Sequence, residues 1–427
     1  MEGRLRINGN NMKIVIFTAD SNGGYPVPAV KGGAVSTLIE SLVAENNKKK
    51  LADFTVVSFF NEEAKRKALN CYPNVNFVWI KVPDLIQLFD KALFWGVRKF
   101  FKKKKAISFK SVFSLLYYIK QSSKYLKSHP FDKVVLENNV LLARIIVNSN
   151  YDGEYYYHFH NVPRIDGGCK EAFEKCNGYL CVSKYVGNQI SLPQNPIGPI
   201  PKNKIRVLYN CINTELFKPL PDRRTLKELM ANKYGFDCKN NLIVFTGRLS
   251  KEKGVDIVLD AVESLHRQDI TVLVVGSLLH GEKIIDSFQE FLKDKVKRMG
   301  EHVIFTGYVE QKDMPLIYNA ADLAVLPSMW DEPAGLTMIE AMACGTPVIT
   351  TESGGIPEYV GEKAYILTRD ENIVTSLANS INSLLDNKVD ATYEFSCYVK
   401  DKFSVSHYLE SFIDCLQKNE GYTCTFI

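Results

Sequence analysis

The chain carries little net charge for its length. Its 427 residues include 53 lysines and arginines against 48 aspartates and glutamates, a formal +5. A dedicated nucleic-acid binder is usually more basic, so nucleic acid is not an expected partner. Long hydrophobic runs are also missing. No uncharged stretch reaches the ~18–20 residues of a membrane-spanning helix. No secretory signal is expected, because the opening MEGRLRINGNN is polar and leads directly into Met12-Lys13 and a strand-like run; residues 1–11 therefore read as lying outside the fold. The ten cysteines are scattered. Cys169, Cys176 and Cys181 form the closest group, and their spacings fit no common zinc motif. Buried free thiols in a reducing cytosol are the expectation. No repeat of solenoid length is present.

What remains is the composition of a folded globular protein, 46% hydrophobic and 24% charged, which excludes a mainly disordered chain. At ~100–200 residues per domain, two or three domains are expected. Short apolar, β-branched runs recur: KIVIFTA (13–19), DFTVVSFF (53–60), VNFVWIKV (75–82), KVVLENN (133–139), EYYYHFH (154–160) and GYLCVS (178–183). A second set follows: IRVLYNC (205–211), NLIVFTG (241–247), TVLVVGS (271–277), HVIFTGY (302–308), LAVLPS (323–328) and PVITTES (347–353). Most are continuously apolar, as parallel strands covered on both faces are. Helical patterns such as VSTLIESLVAE and VDIVLDAVESLH alternate with them, so the class is α/β with parallel sheets. SLPQNPIGPIPKNK (191–204), with four prolines, reads as a linker. The expected domains are 12–204 and 205–395, with an amphipathic C-terminal helix from about 396 to 427 packing back on the first. In such sheets ligands bind beyond the carboxyl ends of the strands.

Several residues after strands fit that rule. Gly32 and Gly33 stand before a helix-like run, where backbone can approach an anion closely, although a paired glycine also makes a bare turn. NLIVFTG leads into GRLSKEKG, which sets Arg248 and Lys253 beside Gly247 and Gly254. Two cations at a strand end form a natural phosphate clamp, and two solvated surface cations are the plainer alternative. Ser250 is a candidate N-cap for the helix that follows. In SMWDEPAGLTMIEAMACGTPVITTESGGIPE, from Ser328 to Glu358, Glu332 falls in a loop and Glu340 within an apolar helix. Gly335 and Leu336 would offer free N–H groups at the helix start. Glu340 would then lie ~7–8 Å along the helix from Gly335. That spacing suits two acids serving different parts of one elongated ligand better than a pair flanking one bond. A carboxylate in so apolar a run calls for a partner.

RLSKEKG, the two glutamates eight positions apart, EAMACGTPVI and SGGIPE together resemble the retaining glycosyltransferases of family 4, which have the GT-B fold: two doubly wound Rossmann-like domains facing across a cleft. The resemblance covers nearly the whole chain from Met12, and its specific motifs lie in the second half. It implies that Arg248 and Lys253 bind a donor diphosphate, with Gly247 at the same strand end and Gly32 and Gly33 approaching from the first domain. Glu332 would lie by the transferred sugar, next to Ala334, Gly335 and Leu336. Glu340 would hold the ribose hydroxyls, and backbone at Tyr308 and Val309 would meet the base. The family often has Gly-Phe-Gly after its first glutamate, where this chain has Pro333-Ala334-Gly335. In YHFHNVPR, a histidine at the strand end would face the donor sugar; His160 is the choice and His158, on the same face, the alternative.

The implied activity is metal-independent hexosyl transfer from a nucleotide-diphosphate sugar, with a UDP-sugar favoured, to a glycan or lipid-linked saccharide in bacterial surface polysaccharide, capsule or glycolipid assembly. His160, Glu332, Arg248 and Lys253 would carry the chemistry. No cofactor and no metal are expected, since the chain has no Asp-x-Asp motif of the kind metal-dependent transferases of another fold use. A sugar-nucleotide epimerase of the same fold and an inactive nucleotide-sugar binder are the alternatives. LFDKALFWGVRKFFKKKKAISFK (88–110) mixes aromatics with Arg98, Lys99 and Lys102 to Lys105, a pattern suited to an anionic membrane surface or to a solvated loop. A cytoplasmic protein, peripheral on the inner face of the plasma membrane through 94–110, is the expectation.

Overall fold

The computed structural model describes residues 11–19, 25–30, 32–100, 110–276, 287–387 and 393–417. The opening residues 1–10 and the lysines 102–105 lie outside them. The chain forms two compact units. One comprises the residues up to Tyr209 together with those from Tyr408 onward; the other is Asn210–His407.

The first unit holds seven strands: β1 (Met12–Thr18), β2 (Ala52–Phe59), β3 (Asn76–Ile80), β4 (Lys133–Glu137), β5 (Tyr155–Phe159), β6 (Gly178–Cys181) and β7 (Ile205–Val207). They lie in the order β3-β2-β1-β4-β5-β6-β7, and every pairing is parallel. Ile14, Val15, Ile16 and Phe17 are all fully buried in succession, so β1 is covered on both faces. That is why these runs are apolar throughout instead of alternating.

Two boundaries differ from the expected ones. IRV at 205–207 is the last strand of the first sheet, with Ile205 opposite Tyr179. The proline-rich stretch 191–204 therefore runs inside the first unit, where Ile197 and Ile200 are buried and Ile200 N donates to Ile190 O at 3.1 Å. A loop packed on a core and a linker share the same composition; only sheet pairing tells them apart. Residues 396–407 belong with the second unit, because Phe403 stacks on Tyr359 with ring centroids 5.2 Å apart and Tyr398 Oη donates to Tyr359 O at 3.1 Å. The return to the first unit starts at Tyr408, within the helix Val405–Gln417. There Phe412 meets Phe54 edge-on and Arg206 donates to the Cys415 carbonyl.

The second unit holds β8 (Asn241–Thr246), β9 (Ile270–Val275), β10 (Val303–Gly307), β11 (Leu323–Leu326), β12 (Val348–Thr351) and β13 (Tyr365–Leu367). The order is β10-β9-β8-β11-β12-β13, again all parallel. The three-residue β13 carries no sequence signal long enough to read. In each sheet the strand order reverses once, at β1/β4 and at β8/β11. Those are the positions where open parallel sheets leave a crevice for ligands.

Candidate functional site

Backbone approach shapes the β8/β11 end of the second sheet. Gly247 follows β8, and a side chain at Gly276 would lie 2.0 Å from the Gly247 carbonyl oxygen. Gly276 N in turn donates to Gly307 O at 3.1 Å, linking the ends of β8, β9 and β10. The chain then makes the short turn Lys251–Lys253 and enters the helix Val255–Ser264 at Gly254. Gly254 has φ +71°, and a Cβ there would stand 2.1 Å from the Pro327 carbonyl oxygen, so only glycine lets this turn seat against the exit of β11. Ser250 does not cap the helix. It precedes the short turn, its hydroxyl caps no N–H, and Gly254 holds the cap position. Arg248 is mostly exposed and pairs with Glu252 at 3.7 Å.

The loop after β11 is fastened from two sides. Met329 N donates to Glu252 O at 2.9 Å, which ties the loop to the lysine turn. Ser353 Oγ and Thr351 Oγ1 each donate to Ser328 O at 2.5 Å. Gly355 N donates to Glu332 O at 2.7 Å, and a Cβ on Gly354 would lie 2.4 Å from that oxygen. SGGIPE is thus the backbone clamp of the DEPAG loop. Held this way, the Glu332 carboxylate takes hydrogen bonds on Oε1 from Lys253 Nζ at 2.5 Å and from Ser328 Oγ at 2.8 Å. One residue from each arm of the switch point therefore meets at a single ion pair.

The helix Leu336–Ala343 starts at Gly335 with no side-chain cap, so its first N–H groups are available beside this pair. Glu340 lies on the same short helix. Tyr318 Oη donates to its Oε2 at 3.4 Å and exchanges a hydrogen bond with Thr246 Oγ1 at 3.0 Å, so the carboxylate is connected to the end of β8. Gln311, three residues past Tyr308, also bonds it. Burial raises the Glu340 pKa to about 7, with the Gln311 and Tyr318 hydrogen bonds pulling the other way. The structure thus gathers Gly247, Lys253, Glu332, Gly335, Leu336 and Glu340 at the strand ends of one sheet. Ala334 stands half-buried in the clamped loop, Arg248 leans outward, and Tyr308, with Val309 beside it, is 67% exposed after β10.

In the first unit, Gly32 and Gly33 both have positive φ, at +84° and +104°. Gly33 starts the helix Ala34–Lys49, and its missing side chain leaves room for Tyr25. A cavity of about 760 Å³ opens at the β1/β4 switch, lined among others by Thr18, Gly33, Glu137, Asn139 and Arg164. His158 and His160 project from one face of the β5 segment toward Glu137 at the end of β4. His160 Nε2 lies 2.9 Å and His158 Nδ1 3.1 Å from Glu137 Oε2. All three are buried. Burial and the charge of His158 hold His160 below its ordinary range. Burial acts to raise Glu137, but the two imidazoles outweigh it and keep the group a carboxylate. Among the described residues these three are the set whose ligand atoms, all within 4.8 Å of one another, could hold a metal ion.

Comparison with known proteins bears chiefly on the second unit. Residues 227–398 match the model of glycosyl transferases group 1. That match lies wholly within the second unit. Spore coat protein SA of Bacillus subtilis (strain 168) is 30% identical over 214 residues, which is 49% of this chain and 55% of that protein. Mannosylfructose-phosphate synthase of Agrobacterium fabrum is 37% identical over 145 residues, 33% of this chain and 31% of that one. The chain spans about half the length, or less, of these curated relatives. Over 95% of its length it superposes on 99% of Anabaena HepE, solved with UDP, with a TM-score of 0.68 at 18% identity. Sucrose-phosphate synthase from Thermosynechococcus elongatus gives 0.66 at 17% identity over 94% and 98% of the two chains. These likenesses show the GT-B fold. In the second unit, sequence reasoning missed Tyr318, Gln311, Ser328 and Gly354. Only the two glycines of SGGIPE offered a signal, and their purpose shows only once the loop lies across them.

Proposed function

We propose that the protein is a retaining glycosyltransferase of family 4 that moves a hexose from a nucleotide-diphosphate sugar to an acceptor hydroxyl. One observation carries the reading: at a single switch point, a lysine–glutamate pair, an open helix N-terminus and a second, partly buried glutamate stand side by side. Lys253 and Arg248 take the diphosphate, with Gly247 close to it. The N–H groups at Gly335 and Leu336, beside Ala334, help stabilise the leaving group. Glu332 holds the transferred sugar, Glu340 accepts the ribose hydroxyls, and Tyr308 and Val309 meet the base. The acceptor oxygen bonds to the anomeric carbon on the face from which the phosphate departs, and that phosphate takes the acceptor's proton, so no separate base and no metal is invoked. UDP is the favoured nucleotide, a choice supported by HepE having been solved with UDP and UDP-glucose.

The acceptor is a glycan or lipid-linked saccharide of a bacterial surface polymer, met at the inner membrane face. The support is the helix Asp84–Phe100, on which Leu85, Leu88, Phe89 and Trp95 are 55–68% exposed beside Lys91, Arg98 and Lys99. Among the described residues no helix is long and apolar enough to cross a membrane. Replacing Lys102 to Lys105 with glutamine should abolish binding to anionic vesicles; retained binding would sink this part.

The deciding experiment is thermal stabilisation by UDP, GDP, ADP and their sugar conjugates without metal, for the intact protein and Glu340→Ala. Stabilisation by one nucleotide series, lost in the variant, is expected. Sugar transfer that requires an acceptor then separates this reading from an epimerase and from an inactive binder. A nucleotide that stabilises both proteins equally overturns the role given to Glu340.

A further inference from the structure

Tyr318 has no part in the reading above, yet its hydroxyl stands between Glu340 and the end of β8. The helix Met314–Ala320 carries it, and the residue is fully buried. Its backbone is fastened too. Thr346 Oγ1 donates to Tyr318 O at 2.6 Å, and the neighbouring Asn319 side chain donates to Pro315 O and Lys218 O and accepts from Leu220 N. The hydroxyl therefore has a set place, with Oη 3.4 Å from Glu340 Oε2 and 3.0 Å from Thr246 Oγ1. A phenol has one proton to give, and an ionised carboxylate only accepts. With Glu340 charged, the Tyr318 proton must point to Oε2, and Thr246 must donate to Tyr318. The hydrogen bonds then run in one direction, from Thr246 through Tyr318 to Glu340, and each polarises the next. The chain starts one residue before Gly247 and ends on the carboxylate of the helix Leu336–Ala343.

We propose that Tyr318 is a positioning residue: through this chain it holds the Glu340 carboxylate in one orientation and favours its charged form, and so sets how well the protein tells a ribonucleotide from a deoxyribonucleotide. The inference rests on the reading of Glu340 as the group that accepts the ribose hydroxyls. Among the described residues, the titratable groups that act on Glu340 are Tyr318 and Cys344. Burial pushes the Tyr318 phenol well above its ordinary value and the Cys344 thiol up to about 12, so both stay neutral from pH 6 to pH 9. Arg223, which donates to the Cys344 carbonyl at 3.4 Å, stays charged throughout. Gln311 bonds the carboxylate from the turn after β10 and does not titrate. The pH response of the cluster therefore belongs to Glu340, which burial raises to about 7.

The test is calorimetric titration of the full chain with UDP and 2′-deoxy-UDP, or the same pair for whichever base the nucleotide screen selects, between pH 6 and pH 9. Tyr318→Phe keeps the ring and removes a hydrogen bond made to the charged form of Glu340. That loss should move the affinity profile to higher pH by about one. UDP should then bind roughly tenfold more weakly than to the unaltered protein at pH 6, and within about twofold of it at pH 9. The terminal phosphate of UDP titrates alike in both measurements. The preference for UDP over 2′-deoxy-UDP should narrow about threefold at pH 7.5. Thr246→Val should shift the profile the same way by about half as much, and Thr246→Ser should restore it. Should Tyr318→Phe fail to fold, the two Thr246 variants still decide. A Tyr318→Phe profile weaker by the same factor at every pH marks a residue that only packs and overturns the inference, as does an unchanged preference for UDP. A Glu340→Gln protein that binds UDP like the unaltered one overturns the role of Glu340 itself. A weakened Glu340→Gln beside an unshifted Tyr318→Phe overturns the inference alone.

Discussion

Replacing Glu340 with glutamine should stabilise the protein in alkaline solution while removing nucleotide binding. Burial lifts this carboxyl from an ordinary value of 4.5 to about 7. A group with a raised folded-state pKa holds its proton more tightly in the folded chain than in the unfolded one. Its contribution is complete below the unfolded value and is lost as pH rises through about 7. At ~1.4 kcal/mol per pKa unit the ionised side chain would cost the fold about 3 kcal/mol. Its partial exposure trims that to about 2 kcal/mol. For a unit of this size, that corresponds to roughly 4–8 °C in melting temperature. Scanning calorimetry should show Glu340→Gln melting above the unaltered protein at pH 8.5, with the two converging near pH 4.5. Nucleotide affinity should show the opposite dependence in the unaltered protein. Only the carboxylate can accept two hydroxyl hydrogens, so binding should be roughly tenfold weaker at pH 6 than at pH 8. A glutamine variant that melts lower than the unaltered protein at pH 8.5 would refute the argument, because the ionised side chain would then be stabilising.

Two further outcomes follow from the packing. Gly254→Ala and Gly354→Ala each push a methyl group into backbone, at 2.1 Å from Pro327 O and 2.4 Å from Glu332 O; each should cost more than about 2 kcal/mol in denaturant titration and uncouple Lys253 from Glu332. Phe412→Ala removes a fully buried ring that meets Phe54, and should destabilise the first unit by about 3–5 kcal/mol, read as a shift in its urea midpoint.

Much of the second unit was legible before folding. GRLSKEKG and the two spaced glutamates stand close to their own strand ends, so local order was enough to mark them. Tyr318 and Gln311 were invisible by the same logic. Each lies on an ordinary helix or turn, and its bond to Glu340 exists only after β10 and β11 take their places in the sheet. The histidines show both limits. Their two-residue spacing placed them on one face, but nothing in KVVLENN announced that Glu137 would meet both.

The sequence by itself determined the class of fold, because continuous apolar runs alternating with amphipathic helices can be buried only as covered parallel sheets. It also determined the residue types at the ends of β8 and β11. Tertiary structure alone decided that β7 closes the first sheet and that the chain returns to that unit at Tyr408. It alone decided, too, that Lys253 finds Glu332, 79 positions away, and that Glu137 finds its two imidazoles. Those outcomes depend on pairing between strands distant in the chain, and a pairing partner leaves no mark on local composition.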